Sequence, residues 1–485
     1  MRLVQATNEG HRLQVTLFSN STQPVAPPLA EAPEIADAPT LLVEELEPTP
    51  RERRGLYVAL HLKLLLVVAI GLAWAGFSLW LSLPWIDTLG QSITLPLAIA
   101  VIFGIAIIPG YLNANLIASL LLDRPPPLRF DLAFPETTVV IACFNEEETI
   151  EETLDYVVEQ DYPGGMRVLV ADDGSTDRTV ELAHKRAATN SEITVLTVPH
   201  GGKARTLTAA LEHVQTPLMA TVDADTLLMT SALQRVVARL LISPPDTVAV
   251  AGAVFVRNSR RNFITRAQEW DYFLGIASVK RQQGLFQGTM VAQGAFSVYR
   301  TAALRHAGGW PDRIGEDIVL TWGMMRKGGR VGYEQTAVAF TTAPEDARAF
   351  ARQRRRWARG MIEGLREHGG PLLTGGRSNA HAVLVNFVFP YVDVVYSIAF
   401  PIGIILALFG NFAIIGPMTL AVLPLNVGLS LIMFHLSKQS FDEIGLKVRQ
   451  NRLGFIGYLF TYQLFMSPVS VAGYAQELFG ATRRW

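Results

Sequence analysis

The chain has 485 residues, with 42 Lys and Arg against 43 Asp and Glu, a formal charge of −1. That length exceeds a single small binding module, and the balanced charge excludes a nucleic-acid binder, whose phosphate contacts demand a basic excess. Only 18% of residues are charged and 49% are hydrophobic, with a mean hydropathy of +0.26, a balance suited to a protein partly dissolved in lipid.

Residues 1–55 carry seven of the 27 prolines, an acidic excess and no apolar period, so they read as a disordered cytosolic tail and not as a signal peptide. Residues 56–123 hold two predicted spans. Leu64 to Ile86 is an uncharged run of 23 residues, long enough to cross a hydrocarbon core of roughly 30 Å as a helix. Thr88 to Leu122 adds 35 uncharged residues, interrupted by Pro96, Pro109 and Gly110. The basic flank Arg51, Arg53 and Arg54 predicts a cytosolic N-terminus, and two crossings return the chain to the cytosol.

From residue 124 to 348 short β-branched runs alternate with helix-forming stretches. Residues 137–143, 167–173, 193–198, 217–225 and 247–254 read as strands; 147–160, 177–188, 203–213 and 231–242 read as helices. This order predicts an α/β domain on a mostly parallel sheet. Residues 349–377 form an amphipathic helix: Phe350, Trp357, Met361 and Leu365 recur at helical spacing with basic residues around them, the pattern of an interfacial helix. Residues 378–485 hold about three further spans, two within Val394–Ser437 and one from Leu453 to Gln476. The loop bearing Lys438, Lys447, Arg449 and Arg452 then belongs in the cytosol; Arg483 and Arg484 run mildly against this topology. Asp393, near the start of the third span, either lines a channel or sits at the interface.

Chemistry-bearing residues fall where strands stop, and ligands of open α/β sheets bind beyond the carboxyl ends of strands. Asp172 and Asp173 run into Gly174-Ser175-Thr176, which taken alone is a turn or helix cap. Asp223 and Asp225, an i, i+2 pair on a strand, point to one side of the sheet and suit Mg²⁺ or Mn²⁺, with substrate phosphates and water completing the shell. Glu316 and Asp317 open a helix, where acidic residues are favoured; a general base for an acceptor hydroxyl is equally compatible. Gln353, Arg356 and Trp357 lie within the amphipathic helix; beside its interfacial role, an Arg there can also clamp a diphosphate and a Trp face suits stacking on a sugar. The one cysteine, Cys143, excludes a disulfide and a cysteine zinc site. His200, His213 and His306 read as surface or packing residues, since their spacing resembles no metal site.

In order along the chain, Phe144-Asn145-Glu146, Asp172-Asp173-Gly174-Ser175, Gly201-Gly202-Lys203, Asp223-Ala224-Asp225, Gly315-Glu316-Asp317 and Gln353-Arg354-Arg355-Arg356-Trp357 resemble the motifs of membrane-bound family-two glycosyltransferases. The likeness is greatest to synthases of poly-N-acetylglucosamine, hyaluronan and chitin-type polymers. Gly315 stands where several members have Thr, and no equivalent of the cellulose-synthase gating loop is evident.

The resemblance implies a cytosolic GT-A domain inserted between transmembrane helices of the plasma (inner) membrane, a UDP-sugar donor and a divalent cation. It implies that Asp172 and Asp173 contact the uridine, that Phe144 lies beside the base, that Lys203 and Asp223 approach the donor and that Asp225, with Asp223, binds metal. Asp317 would be the catalytic base with Glu316 beside it; Gln353 and Arg356 would hold the diphosphate and Trp357 would stack on the acceptor. The expected reaction is inverting transfer, N-acetylglucosamine being the expected sugar, to a growing polysaccharide, processively and coupled to export. The alternatives are non-processive glycosylation of a membrane lipid, since ceramide glucosyltransferase-like enzymes share the Gln-x-x-Arg-Trp motif, and an idle subunit or transporter that keeps the fold. Membrane lipids are further expected partners, and the need for a small accessory membrane subunit stays open.

Overall fold

The computed structural model describes residues 59–375, 377–415 and 450–480, with 427–428, 430–436, 438, 441–442 and 444–446. The tail reading of 1–55, the flank Arg51–Arg54, Lys447, Arg449 and Arg483–Arg484 lie outside the described residues.

Eight strands form one sheet in the order β3-β2-β1-β4-β7-β6-β8-β5. They are β1 (Thr137–Cys143), β2 (Met166–Asp172), β3 (Ile193–Thr197), β4 (Leu218–Asp223), β5 (Leu227–Leu228), β6 (Thr247–Val256), β7 (Phe296–Arg300) and β8 (Arg330–Thr341). The first half, β3-β2-β1-β4, is parallel, as the alternation of strands and helices predicts. The second half is not, so the sheet is mixed. β7 runs antiparallel between β4 and β6, β8 is parallel to β6, and β5 is antiparallel to β8. A strand that follows a long helical excursion is free of the crossover that forces β1 to β4 to run parallel.

Successive residues of β1 feed opposite sides of the sheet. Val139 and Ile141 pack with Ile150, Leu154 and Val236, whereas Val140 packs with Leu207, Trp310 and Trp322. Both faces are therefore covered by helices, and the strand reads as a continuous apolar run because neither face meets water.

Four described helices are long and apolar enough to cross a membrane: Leu60–Ser92, Leu95–Leu122, Asn379–Leu408 and Arg452–Leu478. The second contains a π-helical turn at Phe103–Ile107 and the last another at Tyr458–Tyr462. Outward-facing Leu65, Leu72, Trp80 and Phe465 are each more than half exposed, which apolar surface of this extent tolerates only against lipid or a partner. The helix read as starting at Val394 begins at Arg377 and ends at Leu408, before Gly410, whose φ is +78°. The crossing expected after it falls mainly outside the described residues. Asp393 consequently lies inside a helix and not near its start. It accepts hydrogen bonds from Ser467 (2.7 Å) and Tyr474 (2.7 Å), joining that helix to Arg452–Leu478.

Candidate active site

The carboxyl ends of β1, β2 and β4 open on one side of the domain, and each delivers part of the predicted set. After β1, Phe144 stacks on His200 with ring centroids 4.4 Å apart. At the end of β2, Asp172 turns back to accept from the N–H groups of Gly174 (3.1 Å) and Ser175 (3.1 Å). Asp173 reaches forward and accepts from the N–H groups of Gly201 (2.8 Å) and Gly202 (3.0 Å) and from the Thr206 hydroxyl (2.9 Å). His200 Nδ1 lies 2.9 Å from Asp173 Oδ2, the oxygen that also accepts from Gly202. Both aspartates are thus buried and engaged by the protein's own donors. Asp172 shapes the turn that follows β2, and Asp173 ties that turn to the Gly201-Gly202 segment leading into the helix Lys203–His213.

At the end of β4, Asp223 is ion-paired with Lys203, and Gly294 lies so close that an added Cβ would meet Lys203 Nζ at 2.7 Å. The peptide between the two aspartates is held by Thr153, whose hydroxyl donates to Ala224 O at 2.7 Å. Asp225 accepts from the hydroxyls of Thr341 (3.1 Å) and Thr226 (3.3 Å). Burial, and then the charge of Asp223, hold the Asp225 carboxyl above its ordinary range. Glu146 is raised for the same reasons, burial first and the charges of Asp225 and Asp223 after it.

A divalent cation is the chemistry that would relieve this crowding of negative charge, and the donors are hard oxygens, so the pair fits Mg²⁺ or Mn²⁺. Among the described residues no group of three or more His, Cys, Asp or Glu is placed to chelate a metal. Such an ion would therefore draw the rest of its shell from substrate and water.

Glu316 and Asp317 begin the helix Glu316–Arg326. Burial and the neighbouring Asp317 charge push the Glu316 carboxyl up to about 7, against the opposing pull of Lys203 and Arg356. Asp317 is half-buried, and its Oδ1 accepts from the Ile318 N–H at 2.8 Å. A residue without a recognisable motif stands nearby: Lys280, 7% exposed, donates to Val291 O at 2.8 Å, and burial draws its ammonium down to about 7 while Asp317 opposes that shift.

The helix Ala347–Gly364 starts at Asp346, whose side chain accepts from the N–H groups of Arg348 and Ala349. Gln353, Arg356, Trp357 and Gly360 recur at i, i+3, i+4 and i+7 and share one face. Gly360 packs on Gly315, and Gly315 N–H donates to Glu363 at 2.9 Å, so this face meets the segment carrying Glu316 and Asp317. Arg356 is exposed and Trp357 half-buried. The basic residues do not form one outward face. Arg354 and Arg359 are buried, and Arg359 pairs with Glu477 of the last helix at 3.1 Å. His200 and Lys280 carry no signal in the sequence, because a lone histidine and an isolated lysine have no telling spacing; Arg354, inside the Gln353 to Trp357 motif, is buried behind it.

The model of the glycosyltransferase-like family 2 matches residues 135–360. An N-acetylglucosaminyltransferase of Bradyrhizobium diazoefficiens is 31% identical over 241 residues, covering 47% of this chain and 49% of that protein. A poly-beta-1,6-N-acetyl-D-glucosamine synthase of Staphylococcus aureus is 31% identical over 245 residues, covering 50% of this chain and 58% of that protein. The chain thus spans about half the length of the curated relatives it matches. Among solved structures, a mannosyltransferase from Pyrobaculum calidifontis in complex with GDP-Man and Mn²⁺ aligns at 19% identity with a TM-score of 0.49, over 77% of this chain and 99% of its own. Residues 135–360 are a family 2 glycosyltransferase domain, and the helices that flank it are long and apolar enough to span a membrane.

Proposed function

We propose that this chain transfers N-acetylglucosamine from a UDP donor to a growing polysaccharide at the inner membrane, with inversion, processively and coupled to export through its own helices. The observation that carries this reading is the charge constellation around Lys203. Asp223 pairs with its ammonium, and Glu316 and Arg356 act on it electrostatically, beside an acidic residue and a tryptophan on facing segments. The curated relatives, an N-acetylglucosaminyltransferase and a poly-beta-1,6-N-acetyl-D-glucosamine synthase, support the choice of sugar.

In this mechanism the loop of Phe144 and His200 receives the base, and Lys203 offsets negative charge of the donor. Asp317 takes the proton of the acceptor hydroxyl. The freed oxygen forms a bond to the anomeric carbon as the bond from that carbon to the diphosphate oxygen breaks, and UDP leaves with the electron pair from the opposite face. Arg356 holds the departing diphosphate and Trp357 stacks on the acceptor. A divalent cation bound by Asp225 and Asp223 would supply further stabilisation of the leaving group's charge. A single base suffices, so no second carboxylic acid of the glycosidase type is needed.

The test is radiolabelled transfer from a panel of UDP-sugars by the full-length protein in nanodiscs with Mg²⁺ or Mn²⁺. A high-molecular-weight ladder from UDP-N-acetylglucosamine is expected. A single sugar on an extracted lipid would overturn the polymerase reading, and no transfer from any UDP-sugar would overturn the donor assignment.

A further inference from the structure

Arg354, inside the Gln353 to Trp357 motif, is a cation without contact with water. It is 1% exposed, and its guanidinium carbon lies 4.1 Å from the Trp357 ring centroid, 5.1 Å from Phe350, 5.7 Å from Tyr272 and 6.0 Å from Tyr462. Its Nη1 pairs with Asp271 Oδ2 at 3.0 Å, and the same oxygen accepts from the Tyr462 hydroxyl at 2.8 Å. Nε and Nη2 have no hydrogen-bond partner among the described residues. Such unfilled buried donors are costly, and a similarly shaped apolar side chain would avoid the cost. The aromatic faces offset only part of it.

The surroundings are also unusual. Asp271 and Tyr272 open the π-helical turn Asp271–Ala277, and Tyr462 closes the π-helical turn Tyr458–Tyr462. Such turns are rare and recur at functional sites. The cage thereby ties three segments together: the motif helix, the helix that follows β6 and the last apolar helix.

We propose that Arg354 is a positioning residue for Trp357: held by Asp271, its guanidinium sets the plane of the indole on which the acceptor sugar stacks. This rests on the reading of Trp357 as the acceptor platform given above. Arg354 touches no substrate, so its loss acts on acceptor engagement and leaves donor use in place. A role confined to folding would lower both together.

The experiment compares the full-length parent with Arg354→Met, Arg354→Lys, Asp271→Asn and Trp357→Phe in nanodiscs. Near-ultraviolet circular dichroism reads the setting of the indoles without any substrate. The tryptophan band is expected to change in Arg354→Met and Asp271→Asn, and to be indifferent to Arg354→Met once Trp357→Phe is present. An unchanged band, or the same change with and without Trp357, overturns the proposal whatever the substrate. Kinetics then separate the two readings. For Arg354→Met the KM for an N-acetylglucosamine oligosaccharide is expected to rise about tenfold, the worth of one desolvated cation–π contact. Hydrolysis of UDP-N-acetylglucosamine without acceptor is expected to stay within about twofold of the parent, and the acceptor KM is expected to recover partly in Arg354→Lys, which keeps the cation. Parallel loss of hydrolysis and elongation overturns positioning. If Trp357→Phe itself leaves the acceptor KM unmoved, the platform reading fails first and the proposal with it.

Discussion

Gly315 and Gly360 pack backbone against backbone: a Cβ on Gly315 would lie 2.3 Å from the Gly360 Cα, and one on Gly360 would lie 2.6 Å from the Gly315 Cα. Neither glycine is there for a left-handed conformation, since the φ of Gly315 is −102°. They are there for closeness. The contact sets Glu316 and Asp317 against the face bearing Gln353, Arg356 and Trp357, and Gly315 donating to Glu363 holds it. A threonine at position 315 would require a different spacing between these segments.

Gly360→Ala is accordingly predicted to cost about 1–3 kcal/mol through overpacking against backbone that has little room to yield. Thermal unfolding in detergent should show the lower stability, and transfer should fall further than the folded fraction does. A variant with unchanged melting and unchanged activity would show that the two segments are not in register.

Asp317→Asn is predicted to lower sugar transfer by about 10²–10⁴, the usual worth of a positioned general base. Titration calorimetry should find UDP-sugar affinity near that of the parent, because the side chain acts on the acceptor proton. Full retention of transfer would end the assignment of Asp317 as base.

Removal of divalent cations by chelation is predicted to abolish transfer, with recovery on adding Mg²⁺ or Mn²⁺. A signature independent of turnover follows from linkage: cation binding should raise the melting temperature. Asp225→Asn should weaken cation affinity at least about tenfold. Melting that is indifferent to Mn²⁺ in the parent would remove the metal from this site.

Glu316 makes a prediction about pH. Its carboxyl is raised from 4.5 to about 7 in the folded chain, so between those values the folded state binds more protons than the unfolded one. Stability from this group therefore falls as pH rises through that window, and the penalty is complete above it. Glu316→Gln should flatten the stability profile between about pH 4.5 and 7 and be the more stable form at higher pH. Chemical denaturation across that range reads both effects, and an unchanged slope would contradict the burial of a charged Glu316.

Much of the candidate site is legible in the sequence. Asp223, Asp225, Glu316 and Asp317 stand at the ends of recognisable elements, where a charge beside an apolar run is conspicuous, whereas Arg356 and Trp357 lie within the helix Ala347–Gly364 and are marked by its amphipathic spacing. The loop role of Asp172 and Asp173 was the plain reading of Asp-Gly-Ser, and their hydrogen bonds to Gly174, Ser175, Gly201 and Gly202 match it. β7 and β8 were not legible. Phe296–Arg300 is short and β8 is broken by Gly332 and polar residues, so neither carries a pattern that separates strand from loop.

The sequence by itself determined the alternation of strands and helices, the uncharged runs able to cross a bilayer, and the residues that bring charge to the strand ends. These follow from periodicity, length and composition, which act over a few neighbouring residues. The tertiary structure alone decided that β7 runs antiparallel into the sheet, that Gly315 meets Gly360, and that Arg354 is enclosed by aromatic rings with Asp271. Those relationships join residues far apart in the chain. They depend on how closely two packed surfaces approach, a property that no local pattern of residues encodes.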